Sequence, residues 1–327
     1  MMASKQSRLS TISPPGSSRD RDRFFADLAQ FGPTAQYQPL SLRASRRYCR
    51  QLARSHYENF TVVSLFVPRD LRQHFCNIYA WCRWADDLAD ETGDPRWGMD
   101  LLQWWQQELL ACYQGVMRHP VLVALHETVT RFNIPRDPFL DLLTAFRQDQ
   151  RVFRYETFEE LLDYCRHSAN PVGRLILFLG RCHTPDRVML SDQICTGLQL
   201  VNFWQDVGQD YDRGRIYIPK AECRRVGYTE EMFARREFNS AFRTLMKGLV
   251  HEAAAFLRRG RPLVAMMPRK LQIPVYLFVR GGLAIARAIE SHDYDVWTHR
   301  PTLSRSKKVE LMIRTVWDVL CRRYDRD

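Results

Sequence analysis

The chain has 327 residues and a formal net charge of +11, from 48 Lys and Arg against 37 Asp and Glu. Hydrophobic residues make up 45% and charged residues 26%, a globular balance that excludes a disordered chain. With only 15 Gly and 16 Pro, a turn-rich β protein is excluded as well.

The charge is uneven: +6 over residues 1–60, −2 over 61–250 and +7 over 251–327. Basic ends suit an anionic membrane surface, nucleic acid or a phosphorylated ligand. No recognised nucleic-acid motif appears, so nucleic acid is not expected as a partner. Nine scattered Cys without a C-x-x-C pair read as free thiols of a reducing compartment, and no zinc-ligand spacing is present.

In chain order, the N-terminal stretch is polar and Ser-rich. It lacks the apolar core of a signal peptide, and Asp20 and Asp22 count against an organelle-targeting leader. Residues 1–40 are expected to be disordered or loosely ordered, with one catalytic domain over 41–327. Helical spacing then predicts helices over 43–60, 69–92, 97–118, 119–132, 137–150, 157–181, 186–213, 229–260, 270–290 and 304–324. The stops between them include Gly93-Asp94-Pro95, Ile134-Pro135, Thr184-Pro185 and Gly214. "TFEE" at 157–160 is a capping box with Thr157 as N-cap. The apolar run 271–290 is broken by Pro274, Arg280, Gly281, Gly282 and Arg287, so it reads as a buried helix rather than a membrane span. The fold class is all-α, one large helical bundle.

Two stretches carry the chemistry. In "YAWCRWADDLADE", residues 79–91, Tyr79, Arg83, Asp86 and Asp90 fall at steps of four, three and four, on one helix stripe. Asp86 and Asp90 are one turn apart and repel unless a cation neutralises them. Asp87 and Glu91 lie one residue off the stripe, as helpers or plain surface. In "QLVNFWQDVGQDYDRGRIYIP", Gln199, Asn202, Asp206 and Asp210 form a second stripe at steps of three, four and four. One such stripe alone is usually solvated surface; two, each with further oxygen ligands and apolar neighbours, point to Mg²⁺ ions with a diphosphate between them. Arg213, Arg215, Tyr217 and Lys220, which follow, suit a phosphate anchor. The tryptophans, Trp81, Trp84, Trp104, Trp105 and Trp204, read as core or cavity lining.

These motifs, with "YCRHSANPVG" at 164–173 between them, resemble those of the squalene and phytoene synthase family, the head-to-head prenyl transferases, over roughly residues 45–320. The resemblance implies an isoprenoid synthase fold around a central hydrophobic cavity and two or three Mg²⁺ ions. Asp86, Asp90, Asn202, Asp206 and Asp210 match its Mg²⁺–diphosphate positions. Tyr79, Arg83, Tyr217 and Tyr294 match its diphosphate contacts. Tyr164 matches the tyrosine near the carbocation, and Gln199 and Phe60 match cavity positions. One of Arg305, Lys307 and Lys308 falls where the family has a late phosphate-binding basic residue.

Two departures narrow the expectation. Gln205 stands where the family usually has Arg, and "HYENF", His56 to Phe60, replaces the usual His-Ser-x-Ser-Phe. With His56 and Gln205 counted among the substrate-binding candidates, Tyr57, Glu58 and Asn59 become candidates for ordering a water. Together with "NFWQDV" and "SANPVGR", they resemble the bacterial hydroxysqualene synthases of hopanoid biosynthesis. That branch implies ionisation of presqualene diphosphate, rearrangement and water capture to hydroxysqualene. It implies no NADPH, and no G-x-G-x-x-G fingerprint is present. A cytoplasmic enzyme is expected, with hand-off to a hydroxysqualene-reducing enzyme, and the basic ends together with a lipid product suit peripheral contact at the inner membrane face. The alternatives are condensation of two prenyl diphosphates to presqualene diphosphate, squalene or phytoene, and a non-catalytic relative acting in assembly. Intact aspartates in both stripes argue against the last.

Overall fold

Apolar residues at helical spacing along most of the chain are buried most simply by packing helix on helix. The computed structural model describes residues 18–55 and 66–324. Among them are sixteen helices and, in place of strands, one isolated bridge between Arg154 and Ile216.

The helices are α1 (Ser18–Phe31), α2 (Leu42–Ser55), α3 (Arg72–Asp90), α4 (Pro95–Tyr113), α5 (Pro120–Phe132) and α6 (Asp137–Gln148). Next come α7 (Phe158–Ser168), α8 (Asn170–Leu179), α9 (Pro185–Gln205), α10 (Val207–Asp212), α11 (Lys220–Val226) and α12 (Glu230–Ala234). The last four are α13 (Ser240–Gly260), α14 (Leu263–Met266), α15 (Arg269–Ser291) and α16 (Arg305–Leu320).

The structure corrects the expected boundaries in two ways. First, an unexpected helix, Ser18–Phe31, precedes the first expected one. Phe24, Leu28 and Phe31 are spaced for one helix face and are buried, and Phe24 meets Trp84 edge-on at 6.1 Å. Second, three predicted helices are each split. Ala169 interrupts 157–181 just ahead of Pro171, which cannot donate to the ladder. Arg236, at φ 52°, and Asn239, which caps α13 by accepting from Phe242 N at 3.0 Å, divide 229–260. Asp206 divides 186–213.

The other signals hold. Gly93 and Gly214 take positive φ of 71° and 75°, and Pro185 opens α9. Thr157 accepts from Glu160 N at 3.2 Å, while the Glu160 carboxylate reaches back to Glu156 N at 2.8 Å. The run 271–290 lies in α15, whose buried residues include Leu271, Tyr276, Val279 and Ile289. No helix of the described residues is long and apolar enough to cross a membrane.

Two features fix the site's frame. Trp84 and Trp105 are buried against His119, whose ring lies edge-on to them at 4.4 Å and 4.8 Å, and Trp81 stacks on Trp105 at 6.3 Å. This cluster ties α3 to α4 and α5. On the other side, α9 lies against α13 at glycine contacts. A Cβ on Gly197 would come 2.9 Å from the Leu257 backbone nitrogen, and one on Gly260 would come 2.7 Å from the Leu190 carbonyl oxygen. Backbone atoms cannot yield as a side-chain tip can, so these glycines set the interhelical approach.

Candidate active site at the two aspartate stripes

Asp86 and Asp90 sit on the last turns of α3. Asp206 is the hinge between α9 and α10, at φ −103° and ψ 12°, yet the hydrogen-bond run continues through it. Asp206 N donates to Asn202 O at 2.9 Å, and Asp210 N donates to Asp206 O at 2.8 Å. The second stripe therefore survives the break in its helix. Its side chains are coupled too, with the Asn202 amide donating to Asp206 at 2.7 Å.

Arg215 joins the two stripes. Gly214 turns the chain after α10, and the Arg215 guanidinium donates to Asp90 at 2.9 Å. The same charge acts on Asp86, Asp210 and Asp149. Burial is the largest influence and disfavours the Arg215 cation, but Asp90, Tyr217 and Asp149 together outweigh it and leave the pKa raised.

The carboxylates are crowded. Although 43% of the Asp86 side chain meets solvent, desolvation in the cleft and then Asp90 push it up to about 6, against Arg83 and Arg215. Asp210 is pushed up to about 7 by burial and then Asp206, against Arg213, Arg215 and Arg300. These are hard oxygen donors short of positive charge. Among the described residues, no three His, Cys, Asp or Glu side chains close round a single point. An open, two-sided donor set of this kind fits Mg²⁺, which takes a few carboxylates and keeps waters and phosphate oxygens. Asp86, Asp90, Asn202, Asp206 and Asp210 are the side chains suited to hold it.

Arg83 lies within the first stripe and pairs with Asp86 at 3.1 Å and with Asp87. Asp87 and Glu91 are not surface residues: both are buried. Asp87 is pushed up to about 7 by burial, against Arg83, and braces that guanidinium from behind. Tyr79 is half-buried, and burial raises its pKa to about 12.

Beside Asp210 and Arg215, in a pocket lined by Phe203 and Tyr217, begins a box of aromatic rings. Tyr217 stacks on Phe203 at 3.8 Å and 11°. Tyr164 lies 6.0 Å from Tyr217 and 6.1 Å from Phe203, and Tyr155 stacks over Tyr217 at 6.0 Å. The Tyr164 hydroxyl donates to Asp149 at 3.0 Å, and its pKa is raised well above the usual tyrosine value by burial first and Asp149 second. Asp149 itself is pushed up to about 7 by burial, against Arg215 and the Tyr164 bond. Ring faces of this kind stabilise a nearby cation.

An apolar cavity of about 90 Å³ lies between α8, α9, α14 and α15, lined by Val172, Ile176, Ile194, Leu198, Met267 and Phe278 among others.

The other predicted residues lie at the edge of this centre or away from it. Gln205 is buried: its amide donates to Pro301 O at 2.5 Å and accepts from Arg300 at 3.4 Å. Tyr294 is buried with its hydroxyl donating to Glu290 at 3.4 Å. Lys220 lies 3.8 Å from Glu156. Arg213 reaches Asp210 at 3.8 Å, and Gln199 is half-buried on α9. Arg305, Lys307 and Lys308 are exposed at the start of α16. His56, Tyr57, Glu58, Asn59 and Phe60 lie outside the described residues.

Two site residues escaped the sequence reading. Arg300 grips Asp206 through Nε and, at 3.2 Å, through a second nitrogen. The signal was indirect: Gln205 leaves Asp206 without a neighbouring cation, so one must arrive from elsewhere. Asp149, the partner of Tyr164, ends α6 and follows no spacing rule.

Comparison with known proteins agrees with this geometry. The family model described as squalene/phytoene synthase matches residues 53–307. The phytoene synthase of Arthrospira platensis is 29% identical over 83% of this chain and 92% of its own. The 15-cis-phytoene synthase of Synechocystis is 28% identical over 85% and 86%. Among solved structures, squalene synthase HpnC from Alicyclobacillus acidocaldarius superposes with a TM-score of 0.75 at 43% identity, covering 78% of this chain and 97% of its own. A dehydrosqualene synthase in complex with ligand gives 0.78 at 24% identity, over 86% and 98%, a likeness of fold. With all-α architecture, both aspartate stripes and a family match over most of its length, this chain belongs to the squalene/phytoene synthase family.

Proposed function

We propose that this chain is a hydroxysqualene synthase, converting presqualene diphosphate and water into hydroxysqualene and diphosphate. The reading is carried by one arrangement: two carboxylate stripes bridged by Arg215, with Phe203 and Tyr217 of the aromatic box lining the same small pocket as Asp210 and Arg215. Such a site suits the making of a carbocation from a diphosphate ester. The C30 assignment is favoured by the 43% identity to a squalene synthase, against 29% and 28% for the two phytoene synthases.

Asp86, Asp90, Asn202, Asp206 and Asp210 would hold Mg²⁺, which when bound supplies Lewis-acid stabilisation of the departing diphosphate. Arg215, Arg300 and Arg83 add fixed positive charge at the same place. The C–O bond breaks with its electron pair on the diphosphate oxygen, leaving a cyclopropylcarbinyl cation that rearranges to an allylic cation. Tyr164, held by Asp149, and the stacked pair Phe203 and Tyr217 present π-faces to it. The aromatic and aliphatic walls exclude bulk water until one water adds through its oxygen and loses a proton to the departed diphosphate. We assign the ordering of that water to Tyr57, Glu58 or Asn59. No reductant enters this balance, so none is required, and a separate reducing enzyme would take the allylic alcohol onward.

Incubation with presqualene diphosphate and Mg²⁺, without reductant, is expected to give hydroxysqualene by mass spectrometry. Failure to consume that substrate would refute the reading. Condensation of two prenyl diphosphates is the second reading, favoured by the phytoene synthase relatives. Formation of presqualene diphosphate or phytoene from farnesyl or geranylgeranyl diphosphate would establish it instead.

A further inference from the structure

Helix α16 presents two different faces. Its inner face is fixed to α15: Thr315 and Val319 are buried, and the Arg280 guanidinium pairs with Asp318 while lying over the Tyr276 ring at 4.4 Å. Beyond the helix end, Tyr276 donates to Tyr324 O at 3.2 Å and Tyr324 donates to Gln272 at 3.0 Å. The helix cannot easily roll or lift.

The outer face carries Val309, Ile313, Trp317 and Leu320, exposed to 50%, 64%, 61% and 72%. At 100° per residue they fall within an arc of about 80°. Scattered exposed apolar residues are ordinary, but four aligned on one helix mark an interaction surface.

Charge decides what that surface meets. Glu310 is the acidic residue beside the stripe, and it is neutralised by Lys307 at 3.4 Å and Arg314 at 2.9 Å. Asp318 is taken by Arg280. Arg305, Lys308, Arg322 and Arg323 are exposed and, among the described residues, have no acidic partner. The helix is thus an apolar stripe with Trp on it and, among the described residues, uncompensated positive charge at both ends.

We infer that α16 is a membrane-docking helix, lying in the plane of an anionic lipid surface with Val309, Ile313, Trp317 and Leu320 in the headgroup–acyl boundary. Basic residues flanking an apolar face with Trp and Leu are the composition of interfacial helices. A two-fold contact between copies of this face would bring like charges together, which disfavours a second copy as the occupant. The placement also suits the site: α16 starts just beyond Arg300 and Pro301, the residues that reach Asp206 and Gln205. Docking through α16 therefore puts the rim of the carboxylate cleft near the lipid. The inference stands whether or not the product assignment above is right.

The test is flotation of the full chain with vesicles of phosphatidylglycerol and phosphatidylcholine in equal parts, against phosphatidylcholine alone. The wild type is expected to float with the anionic vesicles and to be released by high salt. The double substitution Ile313→Glu with Trp317→Glu should reduce flotation about tenfold or more, and so should Arg322→Glu with Arg323→Glu. Both pairs leave the inner face intact, so melting temperature should be kept. Bilayer-buried bromine should quench a fluorescence component that Trp317→Phe removes. The inference fails if the wild type does not float, or if both double variants float like it. It fails equally if light scattering shows the wild type to be a dimer that Ile313→Glu with Trp317→Glu splits, which would make the face a self-association surface.

Discussion

At the scale of single residues, the site is a problem of unbalanced charge. Asp86 and Asp206 should each be required, and Asp86→Ala or Asp206→Ala should lower turnover by at least about a hundredfold in a product assay. Wild-type activity in either variant would remove the stripes from the chemistry. Asp149 offers a subtler check. Its carboxyl is pushed up to about 7 by burial, while the unfolded chain titrates near the ordinary carboxylate value of 3.8. Between these values the folded state binds more protons than the unfolded one, so this group's contribution to stability falls as pH rises. Asp149→Asn keeps an acceptor for Tyr164 and removes the titration. The variant should melt higher than wild type above about pH 7, with the gap narrowing on acidification and closing only near the unfolded value of 3.8. A gap that widens on acidification would contradict the burial argument.

At the scale of elements, the approach of α9 to α13 is set by glycine. Gly197→Ala forces a methyl against the Leu257 backbone nitrogen, 2.9 Å away. Overpacking of this kind costs about 1–3 kcal/mol, measurable by denaturant unfolding. Because α9 carries Gln199, Asn202 and the approach to Asp206, the same shift should lower catalytic rate more than a surface Ala substitution of equal stability. A neutral effect on unfolding would show that the two helices are not held where the structure puts them. The split of the second motif at Asp206 belongs to this scale as well. A hinge there lets the Asp206 carboxylate serve Arg300, while the unbroken hydrogen-bond run keeps Asp210 in line.

At the scale of the whole molecule, Asp86, Asp87, Asp210 and Asp149 are all raised, chiefly by desolvation. Each therefore loses stability as pH rises through the range between its unfolded and folded values. With a chelator present, the contribution of these four carboxyls to the melting temperature should fall from about pH 4 to about pH 7 and level off above it. Adding Mg²⁺ with inorganic diphosphate should raise it and flatten that fall, since a ligand bound only by the folded state stabilises by mass action. Identical pH profiles with and without Mg²⁺ and diphosphate would sink the assignment of these carboxylates as metal ligands. His119 acts with the opposite sign: buried among rings and held neutral, it costs stability below about pH 6.5, where the unfolded chain takes up a proton.

What the amino-acid sequence determined by itself is what repeats along a helix. The two stripes, Asp86 with Asp90 and Asn202 with Asp206 and Asp210, are visible because three- and four-residue steps are a local code. Thr157, Pro185 and Gly214 are visible because caps and turns are local too. Phe24, Leu28 and Phe31 had such a signal, but it was hidden beside a polar leader, and burial against Trp84 is what made that segment a helix of the core. Only the tertiary structure decided which cation meets which carboxylate. Arg215 reaches Asp90 from 125 positions away and Arg300 reaches Asp206 from 94, and no spacing rule spans such separations. It also turned Asp87 and Glu91 inward and committed the Gln205 amide to Pro301. The reason is the same in each case: a residue's partners across a bundle depend on how whole helices pack, and the glycine and tryptophan contacts that fix this packing come from several separate segments of the chain.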